Sequence, residues 1–231
     1  MSNIPLLNLL YMLVPLGFVA LLYFVWVGKK GEILFATLRM SVQLIAIGYV
    51  LISLFSTEST LYLFALVVVM VVSASLIVRR NIRHKDWKTY ALIFFSIGIA
   101  GSLNLAWVLF LVLELENPLD ARFVIPLAGM IYANAMNAIS LCAERYEKER
   151  EHHEMEKARG IALKASMMPQ INTFLAVGFV SLPGMMTGQI FSGIDPLIAV
   201  RYQIVVMAMM LSSGAMSNFI YLHFTSKKQS I

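Results

Sequence analysis

What most limits the possible folds of this chain is a succession of apolar runs, each long enough to cross a bilayer, separated by short polar links. About 20 residues of helix rise roughly 30 Å, the thickness of the hydrocarbon core. Such runs lie near 5–27, 33–55, 61–78, 91–113, 122–142, 165–182 and 199–222, which predicts seven crossings and an all-α, polytopic membrane protein. Composition agrees, because 13% charged residues is well below the roughly 25% of soluble domains.

The links alternate in charge. Of the 18 Lys and Arg, all but Arg39, Arg122 and Arg201 fall in the first, third and fifth links and the C-terminal tail. The positive-inside rule then places the N-terminus outside and the C-terminus in the cytoplasm of a multi-pass inner (plasma) membrane protein. The net charge of +5 is thereby explained by topology, and no basic cluster with interleaved aromatics suggests nucleic acid. The single cysteine, Cys142, belongs to no disulfide or zinc spacing. Residues 1–231 read as one membrane domain without repeats or an inserted soluble part.

The stretch Ser181-Leu-Pro-Gly-Met-Met-Thr-Gly-Gln-Ile-Phe-Ser-Gly-Ile-Asp-Pro196 interrupts the pattern. A helix is not expected to run unbroken through Pro183-Gly184, Gly188 and Gly193. Opened backbone at membrane depth is tolerated where protein buries it or where it lines a watery cavity. Met185, Met186, Thr187, Gln189 and Asp195 are therefore candidates for a substrate path, the alternative being a tight outer loop. Arg39, with Gln43 one turn on, is the one charge well inside a span, and either snorkels to the surface or joins the path. Met130, Asn134 and Asn137, at i, i+4 and i+7, put a thioether and two amides on one helix face, for interhelical hydrogen bonds or for substrate.

Small residues predict close helix approach at Gly98, Gly101 and Ser102, at Gly129 and Ala133, and from Ser212 to Ser217. The 15 methionines are soft-metal ligands or adaptable core filler. His152-His153 lacks a third ligand at zinc spacing. The run Ala143–Arg159 is rich in helix formers, with Glu144 and Lys148 at i, i+4, and should extend as a helix into the cytosol. Its alternative is a solvated hairpin. The sequence contains no P-loop, and no Asp or Glu lies inside a span, so energy comes from another subunit or from none.

With these residues laid out, the chain resembles the FetB/YbbM family of membrane permeases. The likeness rests on Val180–Pro196 followed by Ala199-Val-Arg-Tyr-Gln203, on Ile125-Pro-Leu-Ala-Gly-Met-Ile131 with Asn134, Ala135, Met136 and Asn137, and on Arg39 with Gln43-Leu44. It implies the permease subunit of an ABC transporter, exporting metal ions such as iron. ATP would be bound by a separate ATPase subunit and no cofactor by this chain, which would pair as a homodimer. The coupling segment would be 143–165, with Glu149, Glu154, Lys157 and Arg159 as contact candidates. This link is shorter than in many members, offering only Ala158-Arg-Gly-Ile-Ala-Leu-Lys-Ala165 where they carry a Leu-x-Leu-Gly-Ala-Thr-like motif. An ATPase-independent secondary transporter or channel for small ions is the alternative, and a membrane assembly factor a third.

Overall fold

The computed structural model describes residues 5–29, 31–57, 60–83 and 85–229. Every named element among them is helical: α1 (Leu6–Leu10), α2 (Leu13–Val27), α3 (Glu32–Thr57), α4 (Thr60–Asn81), α5 (Trp87–Trp107), α6 (Ala121–Glu149), α7 (Met155–Ala176), α8 (Gly184–Phe191) and α9 (Pro196–Gln229). A π-helical turn, Val108–Val112, finishes α5. Among the described residues, six segments are long and apolar enough to cross a membrane: Leu7–Val27, Glu32–Ile52, Thr60–Asn81, Trp87–Val112, Ala121–Glu149 and Pro196–Thr225. The run expected at 165–182 is not among them. Its first part is the second half of α7, a 22-residue helix that begins in the charged stretch and stops at Ala176.

The described residues form two compact units. In the first, Met1–Thr57, α2 ends at Gly28, whose φ of 75° closes the helix in the left-handed region that suits glycine. The chain turns there into α3, and Tyr23 OH donates to Glu32 Oε2 at 3.0 Å. Neither apolar window in this unit buries a residue. Helices so apolar with uncovered faces are solvated by lipid or by protein, not by water.

The second unit, Glu58–Ile231, is built around α6, which packs against α4, α5, α7 and α9. Its buried positions, among them Ala128, Ile131, Tyr132, Ala135, Ile139, Cys142 and Tyr146, recur at helical spacing and face several neighbours. Asp120 starts the helix by accepting from Arg122 N at 2.8 Å, and Asp86 caps α5 by accepting from Thr89 N. Where α5 crosses α6, Gly101 lies so close to the Tyr132 ring that no side chain fits, and Ser102 Oγ and Tyr132 OH are 3.0 Å apart. Gly98 meets Val71 only at ordinary contact distance, and Gly129 has open space beside it. Ala133 is exposed. The expectation of close packing at Gly129 and Ala133 is thus corrected: both lie on the side of α6 turned away from its neighbours.

Two further expectations change. Residues 143–159 do not form one helix, because α6 ends at Glu149, residues 150–154 turn, and α7 starts at Met155. Glu149 accepts from Arg145 at 2.8 Å and faces His153 at 3.4 Å, while Arg150 Nη1 donates to His153 O at 2.9 Å. These contacts fold the charged run back on itself. Likewise α8 runs straight through Gly188, and only Pro183 before it and Gly193 after it, with φ of 88°, break the chain. One interior glycine weakens a helix by less than a turn-forming one stops it.

Candidate functional site

The interrupted stretch lies beside an apolar helix, not beyond its end. Asn218 Nδ2 donates to Ser166 Oγ at 2.9 Å, and a side chain at Gly214 would meet Gln170 Nε2 at 2.6 Å, so four residues along α7 correspond to four in the opposite direction along α9. Extrapolated, α7 stops with about 12 residues of α9 still ahead of it, roughly 18 Å. Over that length α8 takes its place, sharing a cavity wall with Ile198, Tyr202 and Val206. Asp195 starts α9 by accepting from Leu197 N at 2.8 Å, and Pro196 supplies the fixed φ of a first helical residue. Asp195 is therefore occupied as a helix cap. Thr187 is likewise turned back on its own helix, donating to Gly184 O at 2.9 Å.

Two cavities result. The first, about 270 Å³, lies between the π-helical end of α5, the start of α6, α8 and α9. Met185 and Gln189 line it together with Arg122, Pro126 and Tyr202. The wider π turn brings Val108 into its wall, a use of π-helical residues that is frequent at functional sites. The second, about 230 Å³, lies between α6 and α7 and is lined by Asn134, Asn137, Ser166, Gln170 and Thr173. Asn134 Nδ2 donates to Met210 O at 2.6 Å, tying α6 to α9 through the gap left by Gly214. The interhelical role expected for Asn134 is present. Asn137 is exposed on the same cavity.

Of the buried polar atoms without a partner among the described residues, four are side-chain amide oxygens. Gln170 Oε1, Gln189 Oε1, Gln203 Oε1 and Asn218 Oδ1 are all buried without a hydrogen-bond partner. Each orphan of this kind costs about 1–3 kcal/mol. Amide oxygens are neutral acceptors that suit cations or hydrogen-bond donors, and Met185 adds a thioether beside Gln189. Among the described residues no group of three or more His, Cys, Asp or Glu could hold a metal ion. The arrangement can therefore offer weak, successive coordination but not a closed cage of charged ligands.

Sequence reading singled out Gln189, Met185, Asn134 and Asn137 on these cavities but missed Gln170, Gln203 and Asn218. Their signal was available as uncharged amides inside apolar helices. Met130 and Met186 are half-buried and line neither cavity. Arg39 and Gln43 are exposed on α3 in the first unit. Of the coupling candidates, Glu149 is held by Arg145 and His153, Glu154 and Lys157 are exposed at the start of α7, and Arg159 Nε is buried without a partner.

The model of the uncharacterised protein family UPF0014 matches residues 6–161 and 149–229. Among similar proteins, the probable iron export permease protein FetB of Escherichia coli (strain K12) is 33% identical over 217 residues, covering 86% of this chain and 82% of its own. The UPF0014 membrane protein YjkA of Bacillus subtilis (strain 168) is 32% identical over 213 residues, 82% of this chain and 81% of its own. Protein ALUMINUM SENSITIVE 3 of Arabidopsis thaliana is 29% identical over 205 residues, 82% and 74% respectively. No solved structure matches. From the glutamine-lined cavities to the interrupted stretch before α9, this chain belongs to the uncharacterised protein family UPF0014.

Proposed function

We propose that this chain is the permease subunit of an ABC transporter that exports metal ions such as iron across the inner (plasma) membrane, powered by a separate ATPase. The observation that carries the reading is the set of buried, unpartnered amide oxygens on α7, α8 and α9, two of which face cavities. A protein with no use for them would replace them with leucine at no loss of packing. The name of the Escherichia coli relative, which is similar over most of both chains, supports export of iron. Seven crossings, with α7 and α8 together completing the sixth, put the N-terminus outside and the C-terminus in the cytoplasm. Residues 1–231 act as one permease domain and pair as a homodimer. Cation steps run from amide to amide, and ATP stays on the partner.

The turn between α6 and α7 favours a second reading. It is only five residues long, 150–154, and its neighbour Glu149 is already engaged, so it presents little surface to an ATPase. A channel or secondary carrier needs no such surface. Affinity purification of the tagged chain from its own cells in mild detergent separates the two. An ATPase recovered in near-equal amount, with hydrolysis stimulated by ferrous iron, supports the transporter. Recovery of the intact chain alone, still conducting ions in vesicles, overturns it in favour of the channel.

A further inference from the structure

A third cavity lies elsewhere. At the basic end of the second unit, a space of about 520 Å³ opens between the start of α5, the end of α6 and the last turns of α9. Its wall carries Arg83, Lys88 and Arg150 against Asp86, Glu147 and Glu151. The acids are engaged. Asp86 accepts from Thr89 Oγ1 at 2.6 Å, Glu147 accepts from Arg83 N at 3.0 Å, and Glu151 pairs with the Arg83 guanidinium.

Several donors in the same wall are left over. Tyr146 OH, Arg150 Nε and Thr225 Oγ1 are buried without a well-formed hydrogen bond, Arg150 standing against Tyr146 and Thr225 against Tyr221, and Lys88 is exposed in the cavity wall. Arg159 lies close enough to Tyr146 to act on it electrostatically, which adds positive charge behind the hydroxyl. Tyr146 is the most telling of these, since at 1% exposure its orphaned hydroxyl costs stability that phenylalanine would not.

We propose that this cavity binds a phosphate group, delivered by a phospholipid headgroup or as free phosphate. The donors come from three elements, Lys88 on α5, Tyr146 and Arg150 at the end of α6, and Thr225 on α9, and so approach from different sides. A tetrahedral oxyanion accepts from several directions at once, and charged donors make those bonds strong. The position suits a headgroup, because Leu92 and Tyr221 form an apolar side of the wall while Trp87, 73% exposed, stands at the adjoining helix start. This site is independent of what the amide-lined cavities carry.

Thermal unfolding of the purified full chain in dodecyl maltoside, with and without added probe, tests it. Short-chain phosphatidylglycerol, diacylglycerol of the same chain length and inorganic phosphate are compared. A saturable rise with phosphatidylglycerol and none with diacylglycerol identifies a headgroup, and the same rise with inorganic phosphate identifies the free ion. Lys88→Gln with Tyr146→Phe should weaken the effective probe by about tenfold or more, the worth of hydrogen bonds to a charged group. Lys88→Gln alone, on an exposed residue, should weaken it in the same direction should the double variant fold poorly. No rise with either phosphate-bearing probe, or an undiminished rise in both variants, overturns the site.

Discussion

Gly101 and Gln170 illustrate two ways in which a single side chain matters here. A Cβ at Gly101 would overlap the Tyr132 ring and lie 3.1 Å from Ile131 Cγ2, on backbone that α5 and α6 hold fixed. Gly101→Ala should therefore destabilise the bundle by about 1–3 kcal/mol, read as a lower unfolding midpoint in detergent, whereas Gly129→Ala, with open space beside it, should not lower it. Gln170→Leu acts in the opposite sense. It removes a buried orphan oxygen, so stability should hold or rise by about 1 kcal/mol. Metal export from cells or vesicles should meanwhile fall at least about tenfold if the oxygen serves a passing cation. Export by this variant and by Gln189→Ala undiminished relative to the unaltered chain, with normal assembly, would remove the amides from the path. Both glutamines were visible in the sequence as polar residues in apolar surroundings, but only Gln189 stood in a run odd enough to be noticed.

For the elements, the informative segment is the short α8 between two breaks. Gly193, at φ of 88°, sits where a side chain is strained whatever the space. Gly193→Val should cost about 1–2 kcal/mol and loosen α8 from the 270 Å³ cavity, raising protease cleavage near residues 192–195. Gly188, inside the helix and with nothing within 4 Å, should behave oppositely. Gly188→Ala should stabilise by about 0.5–1 kcal/mol, and a lower midpoint would mean that α8 is not helical in the working protein. The sequence announced that the backbone is opened between Ser181 and Pro196, since proline and turn glycine leave little choice. That α8 would lie alongside α9 was not legible, because the alignment depends on Asn218 meeting Ser166 and on Gly214 admitting Gln170, both distant in sequence.

Over the whole chain, every named element among the described residues is helical, and the links carrying most Lys and Arg alternate with those that do not. Cysteine labelling tests its sidedness. In a Cys142→Ser background, where the native thiol is fully buried to begin with, cysteines at Glu151 and Lys29 should react with an impermeant reagent only from the cytoplasm. Cysteines at Glu116 and Ser192 should react only from outside. Reaction of Ser192 and Glu151 positions from one side would leave α7 and α8 short of a crossing and reduce the count to six.

The sequence by itself determined the class of molecule. Apolar length and the placement of Lys and Arg are properties of residues taken singly, and they act on solvent whatever the fold, so helices and membrane could be read from them, while the family likeness rested on the motif from Val180 to Pro196. The tertiary structure decided which polar atoms find partners. Asn134 is satisfied by Met210 O, whereas Gln170 Oε1 and Tyr146 OH are not, and no local pattern separates these cases. Hydrogen bonding between helices is settled by how α6, α7 and α9 pack, and that packing leaves some buried amide oxygens and hydroxyls without a partner.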